Sequence, residues 1–193
     1  MKLQYSDQNV DRELRTRSIL FIAFYLFAIV MVSICLYALY ISAEEYLTTH
    51  RLVIGEVLSS TEFPFHGAPK LVTYLMIASI LSWFCIIRLG RDKLRNITMP
   101  IKSILQLVIL VIMVITLYES VYNFSLWNSL ITQNIIKGKH NLDSISIPYP
   151  HPNTPWNIIF AAKMTFAGFL ISSHGFYIIS KANKGCDRTN ILK

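Results

Sequence analysis

Long apolar stretches alternate with short charged ones along this chain, and four of the apolar stretches have the length of a membrane span. Ser18 to Ser42 is twenty-five residues without a charge, where a helix rising 1.5 Å per residue needs only about 20 to cross the hydrocarbon core. Leu71 to Ile87 is seventeen residues, at the short end, so Ala68, Pro69 and Leu89 are expected at the interfaces. The third run begins after Lys102 and meets one charge, Glu119, before Lys137. The fourth extends from about Pro155 to Ser180 and contains Lys163 and His174.

This pattern predicts an all-α integral membrane protein, a four-transmembrane-helix bundle in a single membrane domain, 1–193. The spans are expected at about 18–42, 69–89, 102–127 and 155–180, with tails at 1–17 and 181–193 and two outer loops of about 27 residues. The first run is too long for a secretory signal and follows the mixed-charge stretch from Asp11 to Arg17, so it reads as a retained anchor.

Basic residues set the orientation, because they are retained on the cytoplasmic side during insertion. Lys2, Arg12, Arg15, Arg17, Arg88, Arg91, Lys93, Arg95, Lys102, Lys181, Lys184, Arg188 and Lys193 fall on one side of the spans. Only Arg51, Lys70, Lys137 and Lys139 fall on the other. Both termini are therefore expected in the cytoplasm, in a multi-pass protein of the cell membrane. The formal net charge of +7 follows from that asymmetry and needs no nucleic-acid partner. Hydrophobic residues at 53% and charged residues at 15%, with mean hydropathy +0.46, fit the same class.

The sequon Asn96-Ile97-Thr98 falls on the expected cytoplasmic side and should stay unmodified; Asn123-Phe124-Ser125 lies against the third span, where a transferase has poor access. In the first outer connection the apolar stretch Leu52 to Leu58 suits a short helix on the membrane surface. The second ends in Pro148 to Trp156, where closely spaced prolines fix a stiff approach, Thr154 can cap the next helix and Trp156 suits the headgroup belt. The residues of the two halves do not match, so there is no support for an inverted-repeat transporter.

Glu119 and Lys163 carry the chemistry of the spans. Each is expected roughly 10 to 12 Å below the outer surface, counted at 1.5 Å per residue, and an isolated charge there is costly. The two are therefore expected to form an intramembrane charge pair, with Thr116, Tyr118 or Tyr122 sharing the load. The favoured role is to fix helix register; a protonatable pair on an ion path is the alternative. Going inward from Glu119 the third span offers only Thr116 and Gln106, which is a poor relay.

On the fourth span Ala161, Thr165, Gly168, Ser172 and Gly175 recur at intervals of four, three, four and three. Such a small-residue stripe admits close approach of another helix, either of this chain or of a partner. Lys163, Ala167, Leu170 and His174 share a different face. His174 stands alone within the spans, so bis-histidine haem ligation has no basis.

His50, His66, His140 and His151 all fall in the outer connections, with Glu44, Glu45, Glu56, Glu62 and Asp143 in the same segments. Copper or zinc at these loops is the lesser expectation, because the spacing matches no metal motif, and no cofactor is expected. Cys35, Cys85 and Cys186 are too scattered to pair. No phosphate-binding loop, nucleophile elbow or catalytic carboxylate pair is written in the chain. The expected function is thus a non-catalytic, structural or accessory subunit of a larger membrane complex, respiratory or oxidative and, by analogy, for instance of monooxygenase type. Its expected partners are lipid and other membrane subunits or further copies of itself. The alternative is a small self-contained carrier or channel built on Glu119 and Lys163.

Overall fold

In the computed structural model the described residues are 2–50, 52–90, 97–138 and 157–190, with side chains described for 14–50, 52–90, 97–138 and 157–181. They form five helices: α1 (Lys2–Thr49), α2 (Ile54–Ser60), α3 (Leu71–Leu89), α4 (Met99–Ile136) and α5 (Ile158–Asn190). Among these residues there is no named strand, and α1, α3, α4 and α5 each contain a segment long and apolar enough to cross a membrane. That is the pattern of a multi-pass membrane protein.

The helices outrun the apolar runs that define them. Residues 128–136 contain no glycine or proline, so α4 continues through them and ends at Lys137, before Gly138 at φ +77°. At its start Thr98 occupies the N-cap and Pro100 the first turn, where a missing N–H costs nothing. α1 likewise passes Ser42 and ends beside His50 at φ 55°. The chain then doubles back, and the Val53 amide donates to Ser42 Oγ at 3.1 Å. α5 is capped by Asn157, whose Oδ1 accepts from the Ile159 amide at 2.8 Å.

The folded-back segment puts α2 against the ends of α1, α3 and α5. We refer to this as the cap end and to the opposite end as the tail end. The short helix expected from Leu52 to Leu58 is present as α2, and it turns Gly55, Leu58 and Ser59 onto the protein. Leu58, 2% exposed, sits with Ile34 and Ala38 of α1 and Leu71, Val72 and Leu75 of α3, and Phe160 and Met164 of α5 close the cluster. Full burial of one such leucine is worth about 2 kcal/mol where the alternative is water. This cluster holds the cap end together.

α3 lies between α1 and α5, and α5 lies between α3 and α4. Among the described residues the flanking helices α1 and α4 form no substantial interface with each other. The described spans therefore follow one another in space in the order α1, α3, α5, α4, which the expected four-helix bundle had left open. Sequence length fixes how many spans there are; the order in space depends on which side chains fit. α4 and α5 fit best, and theirs is the most extensive helix contact among the described residues.

Candidate functional site

The small stripe of α5 explains that contact. A methyl group added at Gly168 would come within 3.1 Å of Thr116 Cγ2, and one added at Gly175 within 3.1 Å of Trp83 Cζ2 and 3.7 Å of Ile109 Cδ1. Glycine at these positions lets the backbone of α5 approach the side chains of α4 and α3 directly. Ser172 and Thr165, also in the stripe, return their hydroxyls to α5 itself, to the carbonyls of Gly168 at 2.7 Å and Ala161 at 2.7 Å. Two residues of the stripe are thus used within the chain, Gly168 against Thr116 of α4 and Gly175 against Trp83 of α3 and Ile109 of α4.

The same contacts give the relative depth of the two charges. Thr116 opposes Gly168 and Ile109 opposes Gly175, so the antiparallel register sets Glu119 level with Thr165 and Lys163 level with Val121. Their backbones differ in depth by two residues, about 3 Å. Direction separates them. Lys163 precedes Gly168 by five residues, or about 140° around the helix at 100° per residue, so when Gly168 faces α4, Lys163 faces away from it.

Lys163 instead meets α3. Its Nζ donates to Thr73 Oγ1 at 2.7 Å. Because a helical side chain leans toward the N-terminus of its own helix, the ammonium ends near the first turn of α3, at the cap end. Lys70, the N-cap residue of α3, lies within electrostatic range of it. Lys163 and Thr73 are both half-buried, and the bond fastens α5 to α3 where α2 covers them.

Glu119 is also half-buried, and its backbone carbonyl accepts from Asn123 Nδ2 at 2.7 Å. Among the described side chains no ion pair joins it to Lys163. Nor do the nearby hydroxyls gather around the two charges. Thr116 Oγ1 donates to the Ile112 carbonyl at 2.8 Å, and Tyr118 and Tyr122 stack on the exposed face of α4 at 6.3 Å. The structure therefore brings Lys163 to Thr73 and leaves Glu119 apart.

His174 stacks on Phe84 of α3 at 6.2 Å, and the Arg88 guanidinium lies 5.3 Å from the same ring. These three form an aromatic and cationic group near the tail end of α3. At the cap end His50 meets the Tyr46 ring edge-on at 5.8 Å, and His66 Nδ1 lies 3.0 Å from Glu62 Oε2. His140 and His151 lie outside the described residues, as do Asn96 and the segment from Pro148 to Trp156. Among the described residues no three His, Cys, Asp or Glu side chains converge as metal ligands would. Cys35 and Cys85 are free thiols, the first exposed and the second buried.

Two residues that the sequence pattern does not single out, Thr73 and Trp83, and one that it marks only as part of a sequon, Asn123, carry much of this geometry. Thr73 is signalled only as a hydroxyl near the start of an apolar run, Trp83 as a large ring matched to a glycine on another helix, and Asn123 as a buried amide at the end of the α4–α5 contact. No protein-family model, curated protein or solved structure matches this chain.

Proposed function

We propose that this chain is a non-catalytic membrane subunit whose role is to pack, in lipid, against other subunits of a larger complex, respiratory or oxidative in kind. The observation that carries this reading is the state of the flanking helices: among the described residues, the most apolar windows of α1 and α4 hold almost no fully buried residues, each helix packing along one other span only, α3 and α5 respectively. A protein working alone as a carrier needs its helices arranged around a polar path. Here the most extensive contact between described helices is a seam of close approach at Gly168 and Gly175, and the Lys163 ammonium is engaged by Thr73 at one end. The basic asymmetry of the sequence supports cytoplasmic termini, which puts the cap end on the outer side of the cell membrane.

Photocrosslinking in native membranes tests this. A benzophenone amino acid at Val111 or Val114, both on the exposed side of α4, should capture a distinct protein, whereas one at Ile109, beside Gly175, should crosslink within the chain. Capture of lipid alone from every exposed position of α1 and α4 would contradict the proposal.

A second reading, a small carrier or channel, has one observation in its favour: Glu119 is a half-buried carboxyl not paired with Lys163. Glu119→Gln separates the two readings. A carrier loses a proton-coupled flux on this change, and a packing subunit keeps its assembly.

A further inference from the structure

The loop that joins α2 to α3 is closed and internally braced. Glu62 and Lys70 pair as an isolated antiparallel bridge, and just outside it the Leu71 amide donates to the Thr61 carbonyl at 3.0 Å. Within it, the Glu62 carboxylate accepts from the Gly67 amide at 2.7 Å and lies 3.0 Å from His66 Nδ1. The Ala68 amide donates to the Phe65 carbonyl at 3.0 Å. Gly67 holds φ +89°, a conformation that costs other residues strain.

This bracing presents apolar rings outward. Phe63 and Phe65 are 59% and 70% exposed and stand outside the buried cluster of Leu58 and Leu71. The loop is also held down along a span. Tyr74, the fourth residue of α3, donates its hydroxyl to the Phe63 carbonyl at 2.9 Å, which keeps Phe63 beside the first turn of a membrane helix. A tyrosine in that first turn and a lysine at the foot of the loop are the residues that headgroup regions favour.

We propose that Phe63 and Phe65 form an aromatic hook seated at the boundary between headgroups and acyl chains in the leaflet at the cap end. The occupant of the exposed ring faces is lipid, because the loop runs directly into the membrane helix α3 and is tied to its first turn through the Phe63 carbonyl and the Tyr74 hydroxyl. The hook anchors the cap to the bilayer, fixing the depth at which Lys70 and the Thr73–Lys163 contact lie. Aromatic and apolar side chains on a short amphipathic element bind interfaces in this way.

The inference rests on the membrane reading but not on the existence of partner subunits. Its test uses the purified full chain in liposomes of zwitterionic lipid, where no other protein is present. With Cys35, Cys85 and Cys186 replaced, a nitroxide is attached at Phe65→Cys and, in a separate variant, at the neighbouring fully exposed His66→Cys. The label at 65 should collide severalfold more with oxygen, relative to a water-soluble nickel chelate, than the label at 66. Equal aqueous access at both positions would overturn the hook. So would a label at 65 shielded from both reagents, which would indicate burial against a second copy of the chain. If the cysteine replacements disturb folding, Phe65→Trp in the otherwise native chain provides the same answer through quenching by lipids brominated near the headgroup. An increment over the native tryptophans that is quenched by aqueous iodide instead would count against it.

Discussion

Lys163 donates a 2.7 Å hydrogen bond to Thr73 Oγ1, so the cation of the fourth span is held by a hydroxyl of the second rather than by the carboxylate of the third. In a low-dielectric setting a hydrogen bond to a charged group is worth about 1.5–3 kcal/mol. Thr73→Val is expected to destabilise the protein by about that amount, discounted toward the lower end because both side chains are half-exposed. Adding Lys163→Met should recover much of the loss, since the ammonium no longer needs a partner. By contrast, the coupling between Glu119→Gln and Lys163→Met should stay below about 0.5 kcal/mol. Unfolding in detergent micelles, arranged as two double-mutant cycles, measures both; a larger coupling for Glu119 than for Thr73 would reinstate the charge pair.

Gly168 sets the approach of α5 to α4. Gly168→Ala gains helix propensity of about 1 kcal/mol but brings its methyl to 3.1 Å from Thr116 Cγ2, so its net effect should be small. Gly168→Leu cannot be absorbed in this way and should cost about 1–3 kcal/mol by overpacking. Gly175→Leu should do the same against Trp83, and Trp83→Ala should relieve part of that cost, because Trp83 is the nearest obstacle. Thermal unfolding in nanodiscs would read the series, and a Gly168→Leu protein as stable as wild type would show that the seam is not close-packed.

Leu58 is the keystone of the cap. At 2% exposure within the cluster of Ile34, Ala38, Leu71, Val72 and Leu75, its truncation to alanine should cost about 2–5 kcal/mol. Leu47, on the protruding end of α1 and 81% exposed, should tolerate the same change within about 0.5 kcal/mol. Limited proteolysis of the connection between α1 and α3 should follow this order, with accelerated cleavage for Leu58→Ala only.

Asn123 should remain without glycan in a glycosylating host even though Ser125 completes its sequon. The residue is 1% exposed, and its Nδ2 is committed to the Glu119 carbonyl. Treatment with a glycan-removing amidase should leave the electrophoretic mobility unchanged, and a shift abolished by Asn123→Gln would mean that α4 is packed differently.

Much of this architecture was legible in the order of residues, for physical reasons that also mark where legibility ended. Uncharged runs such as Ser18 to Ser42 declare spans because burying a charge in hydrocarbon is costly. The glycines of α5 declared a packing stripe because close backbone approach needs small residues. Helix ends were harder to place: residues 128–136 are polar enough to leave the bilayer yet contain nothing to stop a helix, so α4 continues to Ile136 and is capped by Lys137, just before Gly138.

Neighbour relations were the least legible. Charge and depth single out Glu119 and Lys163, and their depths do agree within about 3 Å, but the rotation of α5 is set by Gly168 and Gly175 seating on larger side chains. That rotation turns Lys163 toward α3. Its partner is a neutral hydroxyl ninety residues away in sequence, which no pairing of opposite charges could identify.

The open flanks of α1 and α4 lead to the central claim, that this chain packs within a larger assembly. Native mass spectrometry of the chain extracted from its own membranes into nanodiscs tests it most directly. The expected result is one or more different membrane proteins in fixed stoichiometry with it, lost when bulky residues on the exposed side of α4 are changed. A lone chain or a homo-oligomer, recovered intact under conditions that preserve other complexes of the same membrane, would contradict the claim and return attention to Glu119 as a carrier residue.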